Sequence, residues 1–144
     1  MATDLVDIRL AIISKLNTID QLHAVYGYEI DKPISGKYPY ATVTWLGGEG
    51  EFGDTQRNLR IHKYAIRVYQ ERTQPAFGAS KAEDILLEIC DAIYTAFDND
   101  TRLGGTVKFV EPLESVADYI EKEMGDVRFV ELVARCHTVV DSIT

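Results

Sequence analysis

The chain has 144 residues, 46% of them hydrophobic, with 23 acidic against 15 basic side chains and a formal net charge of −8. That length suits a single domain over 1–144, able to bury roughly 70% of its unfolded surface without help from a metal or a disulfide. The acidic balance speaks against a sequence-independent nucleic-acid binder or an anionic membrane surface as partner, and no stretch reaches the ~20 apolar residues that cross a bilayer.

In chain order, Met1-Ala2-Thr3-Asp4 lacks the features of a secretion signal, so a chain made and kept in a cytosol is expected. Leu5, Ile8, Ile12, Ile13, Leu16 and Ile19 recur at helical spacing, with Thr3 as cap and Asp4 and Asp7 at the positive end. Asp20 to Pro39, broken by Gly27, Pro33 and Gly36, reads as an irregular connection with a short extended piece at Val25 to Ile30. Tyr40 to Leu46 reads as a strand, Gly47 to Asp54 as a flexible acidic loop, and Leu59 to Gln70 as a second strand. The apolar parity of that strand changes between Ile61 and Tyr64, and a bulge near His62-Lys63 would reconcile it. Together these segments predict a long hairpin with a projecting tip.

Ser80-Lys81-Ala82-Glu83 fits a capping box at the start of a broad amphipathic helix through Ile85, Leu86, Ile89, Ile93 and Phe97. Asp98-Asn99-Asp100 ends it, Leu103-Gly104-Gly105 forms the exit, and Thr106 to Val110 reads as a strand. Glu111 to Asp126 reads as an acidic loop in which Val116, Tyr119 and Ile120 could support a short helix. Val127 to Val140 reads as a strand with Val130, Leu132, Ala134, Cys136 and Val140 on one face and the more polar Phe129, Glu131, Arg135 and His137 on the other. The expected class is α+β: a mostly antiparallel sheet with a long hairpin, covered by two helices on one face.

Little in this order resembles a catalytic or ligand site. Cys90 and Cys136 lack metal or redox spacing and are expected as free buried thiols. His23, His62 and His137 are scattered, the latter two expected on polar strand faces. No serine lies in a nucleophile elbow, and Gly47-Gly48-Glu49-Gly50 lacks the Lys-Ser/Thr of a phosphate loop. The acid pairs read as a solvated surface, and Asp98-Asn99-Asp100 is too sparse for calcium. No enzyme activity, cofactor or metal is expected; an enzyme would require His62 or His137 beside an acid in a pocket. Tyr38, Tyr40 and Trp45 are either core or interface anchors.

The layout resembles the tail terminator and tail-completion proteins of long-tailed phages. The resemblance spans nearly the whole chain and rests on four parts: the helix Leu5 to Leu16, the hairpin Tyr40 to Gln70, the helix Ser80 to Phe97, and the Leu103-Gly104-Gly105 exit into the last strands. It implies a virion protein, synthesised in the host cytoplasm, that forms a homo-oligomeric ring, usually a hexamer. Such a ring caps the head-proximal end of the tail tube, stops tube polymerisation and offers a surface to the head connector or stopper. DNA would pass through its lumen without specific binding, and no membrane is involved.

Carried over by element, the hairpin tip with Glu49, Glu51, Phe52, Asp54 and Arg57 and the acidic loop with Glu114, Asp118 and Glu121 would be the assembly contacts. Deleting Gly48 to Asp54 would then spare the melting temperature and abolish assembly. The alternatives are another neck protein, such as a stopper or head-completion protein, and a non-phage adaptor domain.

Overall fold

The computed structural model describes residues 5–29, 38–52, 57–71, 78–122 and 125–141. Helix α1 (Leu5–Leu16) buries Ile8, Ile12 and Leu16, one residue per turn along a single stripe. It ends where the Thr18 hydroxyl donates to the Lys15 carbonyl at 2.6 Å. Thr3 and Asp4, expected at its start, lie outside the described residues. Helix α2 (Gly78–Asp98) buries Ala82, Leu86, Ile89, Ile93 and Phe97.

The strands are β1 (Ala24–Tyr26), β2 (Tyr40–Phe52), β3 (Arg57–Glu71), β4 (Phe109–Val110), β5 (Glu114–Lys122) and β6 (Gly125–Asp141). They form one sheet in the order β1-β2-β3-β6-β4, with β5 also paired to β6. Among the described residues only β1 and β2 run parallel, and every other pairing is antiparallel. Both helices lie on the same face. Their apolar stripes meet Ala41 and Val43 of β2, Tyr64, Ile66 and Val68 of β3, and Leu132, Ala134 and Cys136 of β6 in one core. This is the expected α+β class.

Six expectations need correction. Gly47 to Phe52 is not a loop: β2 continues through it, paired to β3 as far as Phe52 opposite Asn58. Ladder bonds with a strand already backed by β6 outweigh the poor strand propensity of three glycines. The bulge lies in β2, between Trp45 and Gly47, while β3 pairs with β6 without a shift. The parity change is therefore a real change of face, and Leu59 and Ile61 point away from the helices.

Thr106 to Val110 contributes only two strand residues, and Glu111 to Asp126 holds β5 rather than a loop or helix. The short extended piece runs Ala24–Tyr26, earlier than expected. Finally, α2 begins at Gly78, so Ser80 stands inside the helix and not ahead of it, and the Glu83 carboxylate accepts from Arg128 Nε at 2.8 Å.

The exit from α2 shows why Leu-Gly-Gly is there. Leu103, Gly104 and Gly105 take positive φ values of 48°, 67° and 93°. Consecutive left-handed residues favour glycine, and here they roll Leu103 into the core. The Asp100 carboxylate accepts the Gly104 N–H at 3.1 Å and pairs with Lys15 Nζ at 2.7 Å, which locks the turn to α1. Asp98-Asn99-Asp100 thus ends the helix, as its sequence implied.

Candidate assembly surface

With both helices on one face, no helix covers the other face of the sheet among the described residues. Odd-numbered residues of β3 and β6 point there, and the register sets Tyr69 beside Phe129, Arg67 beside Glu131, Lys63 beside Arg135 and Ile61 beside His137. At the β1 end Tyr26, Tyr38, Tyr40, Tyr69 and Phe129 form an aromatic cluster, with ring centroids 4.9 Å apart for Tyr40–Tyr69 and 5.8 Å for Tyr69–Phe129. Burial first, and then the neighbouring phenols and Glu29, push the Tyr40 hydroxyl well above the usual phenol range. Burial and the Glu29 hydrogen bond do the same for Tyr69.

Beside this cluster, Arg67 bridges Glu131 (2.8 Å) and Glu29 (3.1 Å), and the Thr42 hydroxyl donates to Glu29 at 3.0 Å. Further along, a second ladder crosses four segments of chain. Lys63 Nζ lies 3.3 Å from Glu49, Glu49 lies 3.2 Å from Arg135, Arg135 Nε lies 3.0 Å from Glu111, and Glu111 lies 2.7 Å from His137 Nε2. Hydrogen bonds from His137 and then Arg135 hold the Glu111 carboxyl below the usual carboxylate range; Lys63 does so for Glu49. The His137 ring stacks on Phe109 at 4.1 Å. Leu59, Ile61, Phe109, His137 and Val139 then line an open groove of about 300 Å³.

The predicted contact residues fall in three groups. Glu49 sits inside the second ladder, as a paired strand residue and not a mobile one. Glu51, Phe52 and Arg57 are strand residues of β2 and β3, and Asp54 lies outside the described residues. Glu114, Asp118 and Glu121 belong to β5, on the opposite side of the sheet from β2, so the two predicted sets are not brought together.

Sequence reasoning missed Lys63, Arg67, Glu111 and Glu29 as members of this surface. The usable signal was that Lys63 and Arg67 share one parity of their strand while Glu131 and Arg135 share one parity of theirs. His137 does face the polar side. His62 does not: it lies opposite Cys136 on the helix-covered side, with Nδ1 buried and unpartnered. Burial, then Arg60, lower its pKa.

Tyr40 is buried within the aromatic cluster, whereas Trp45 is exposed on the helix side. Cys90 and Cys136 are free and buried, and burial pushes their thiols up to about 11 and about 12. No protein-family model matches this sequence, and no curated protein matches it.

Proposed function

We propose that this chain is a structural virion protein, the terminator that caps the head-proximal end of a phage tail tube as a ring and presents a joining surface to the head connector. The observation that carries this reading is the one-sided architecture. A sheet covered by helices on one face carries partly exposed paired charges and a packed aromatic cluster on the other, and both of its lateral edges carry strands that lack a further neighbour among the described residues. A closed ring needs two different flanks on each subunit, and open edges at opposite ends of one sheet provide them. The order helix, hairpin, helix, strands adds the likeness in layout described above.

The role is non-catalytic in this reading. His137 does stand beside an acid at the rim of a groove, but Glu111 is shared with Arg135 and held ionised. A carboxylate so held is a poor proton donor and serves as a brace between strands. DNA passes a predominantly acidic ring without specific contact.

The test is the native mass of the purified protein over a range of concentration, with negative-stain images, followed by addition of a cognate tube protein during tube assembly. Rings that arrest tube elongation support the proposal. A protein that neither forms rings nor limits tube length, alone or with the tube protein present, overturns it.

A further inference from the structure

Two exposed apolar side chains, Val6 (46%) of α1 and Trp45 (53%) at the β2 bulge, meet at one hollow, and Leu10 (51%) and Leu46 (45%) are exposed one turn and one residue further along the chain. Leu5, Val6, Arg9, Gly27, Trp45 and Tyr64 line a hollow of about 140 Å³ between them. Arg9 enters it with one guanidinium nitrogen on the Gly27 carbonyl at 3.3 Å and with Nε buried and unpartnered; among the described residues no carboxylate pairs with it. Among the described residues nothing pairs with the β2 edge beside the hollow beyond Thr42, because β1 covers only Tyr40 to Thr42.

The opposite flank is built differently. Strand β5 is an edge strand, and Val116 is the most exposed large hydrophobic in the described structure at 69%. Glu114 is exposed two residues earlier, on the same side of the strand. The strand carries Glu114, Asp118 and Glu121 against Lys122, while α1 carries Arg9 and Lys15 against Asp7 in a chain of net charge −8.

We infer that the Trp45 hollow is the docking site for the β5 edge of a second copy of this chain, with Val116 seated against Trp45 and Glu114 supplying the carboxylate that Arg9 lacks. One flank offers a hollow, an unmatched cation and an open strand edge; the other offers an apolar knob, an acid and an open strand edge. The contact is heterologous, since each copy uses one flank for each neighbour, and so it propagates and closes as a ring. It rests on the self-assembly reading above and names the surfaces that would carry it.

The experiment is sedimentation velocity on the full chain and on Trp45→Ser, Val116→Asp, Arg9→Glu, and Arg9→Glu combined with Glu114→Arg. Glu88→Lys, at an exposed position of α2, is the control. Circular dichroism confirms that each variant is folded. We expect an oligomeric wild type, an unchanged control, and a loss of about thirtyfold or more in association constant for Trp45→Ser and for Val116→Asp. The charge-swapped pair should associate more tightly than Arg9→Glu alone.

A second readout does not depend on the stability of those variants. Trp45→Cys and Val116→Cys proteins, mixed under mild oxidation, should form a disulfide-linked pair that neither forms alone. An oligomeric wild type whose assembly survives both Trp45→Ser and Val116→Asp, with no crosslink, overturns this interface and leaves the ring itself standing. A wild type that is monomeric at every soluble concentration, with no crosslink, also overturns the interface, while tube-length control independently tests the terminator role.

Discussion

A single methyl group at Gly48 distinguishes a paired strand from a loose loop. A Cβ there would lie 2.9 Å from His62 Nδ1 and 3.1 Å from the Ile61 carbonyl oxygen, the second of which is backbone and cannot swing aside. The φ of Gly48 is not left-handed, so alanine suffers no conformational penalty. In a solvated loop Gly48→Ala would stabilise the protein by about 0.4–1 kcal/mol through the unfolded chain. In the paired strand the propensity gain is similar, but crowding of the packed neighbours costs about 1–3 kcal/mol, so the net effect is destabilising by about 0.5–2 kcal/mol.

The assay is reversible unfolding by heat and by denaturant, where the melting temperature should fall by about 2–8 °C. His62→Ala removes the imidazole that the methyl meets. The double variant should therefore lose less than the sum of the two single losses, by about 0.5 kcal/mol or more. A Gly48→Ala protein as stable as the parent, or more stable, would refute the close approach and with it the strand over Gly47 to Phe52.

Other outcomes follow from the same geometry. Deleting Gly48 to Asp54 removes five register pairs, Gly48–His62 through Phe52–Asn58, so the melting temperature should drop and not hold steady. Leu132→Ala, at a fully buried position between the helices and the sheet, should cost about 2–5 kcal/mol in denaturant unfolding. Cys90 and Cys136 should resist a thiol reagent at neutral pH until the chain is unfolded, because burial raises both thiol pKa values and blocks access. The His62 pKa is depressed in the fold, so its contribution is complete above about 6.5 and is lost as pH falls from there, since the unfolded chain takes up the proton first. His62→Gln should flatten the stability profile just below pH 6.5, whereas carboxylates such as Glu111 act at lower pH.

What the sequence made legible was local periodicity. The stripes of α1 and α2 and the alternation of β6 were plain because a single face of each is buried and its spacing repeats. The Gly47–Phe52 stretch was illegible because its strand character is borrowed: three glycines and two acids have little propensity of their own, and only the β3–β6 ladder behind them holds them extended. Strand β5 misled for another reason. Val116, Tyr119 and Ile120 satisfy a helical spacing by accident, while their residue types and the neighbouring β6 favour a strand. The two charge ladders were out of reach because their partners are remote: Arg67 and Glu131 are 64 residues apart, and Arg135 and Glu49 are 86 apart.

Those ladders bear on what the open face can do. A face of unpaired charges would bind any counterion, and an apolar face would aggregate. Here nearly every charge is held by a neighbour within the subunit, and the pairs are partly solvated, so breaking one against water costs little. A partner that brings matching charges can exchange pairs with small loss, and it gains whatever apolar area it covers, such as the groove around Phe109 and Leu59. Association through such a surface is weak for an isolated subunit and adds up when several subunits present it together. Under the proposed terminator role, that behaviour suits a subunit that waits for a finished tube before it caps one.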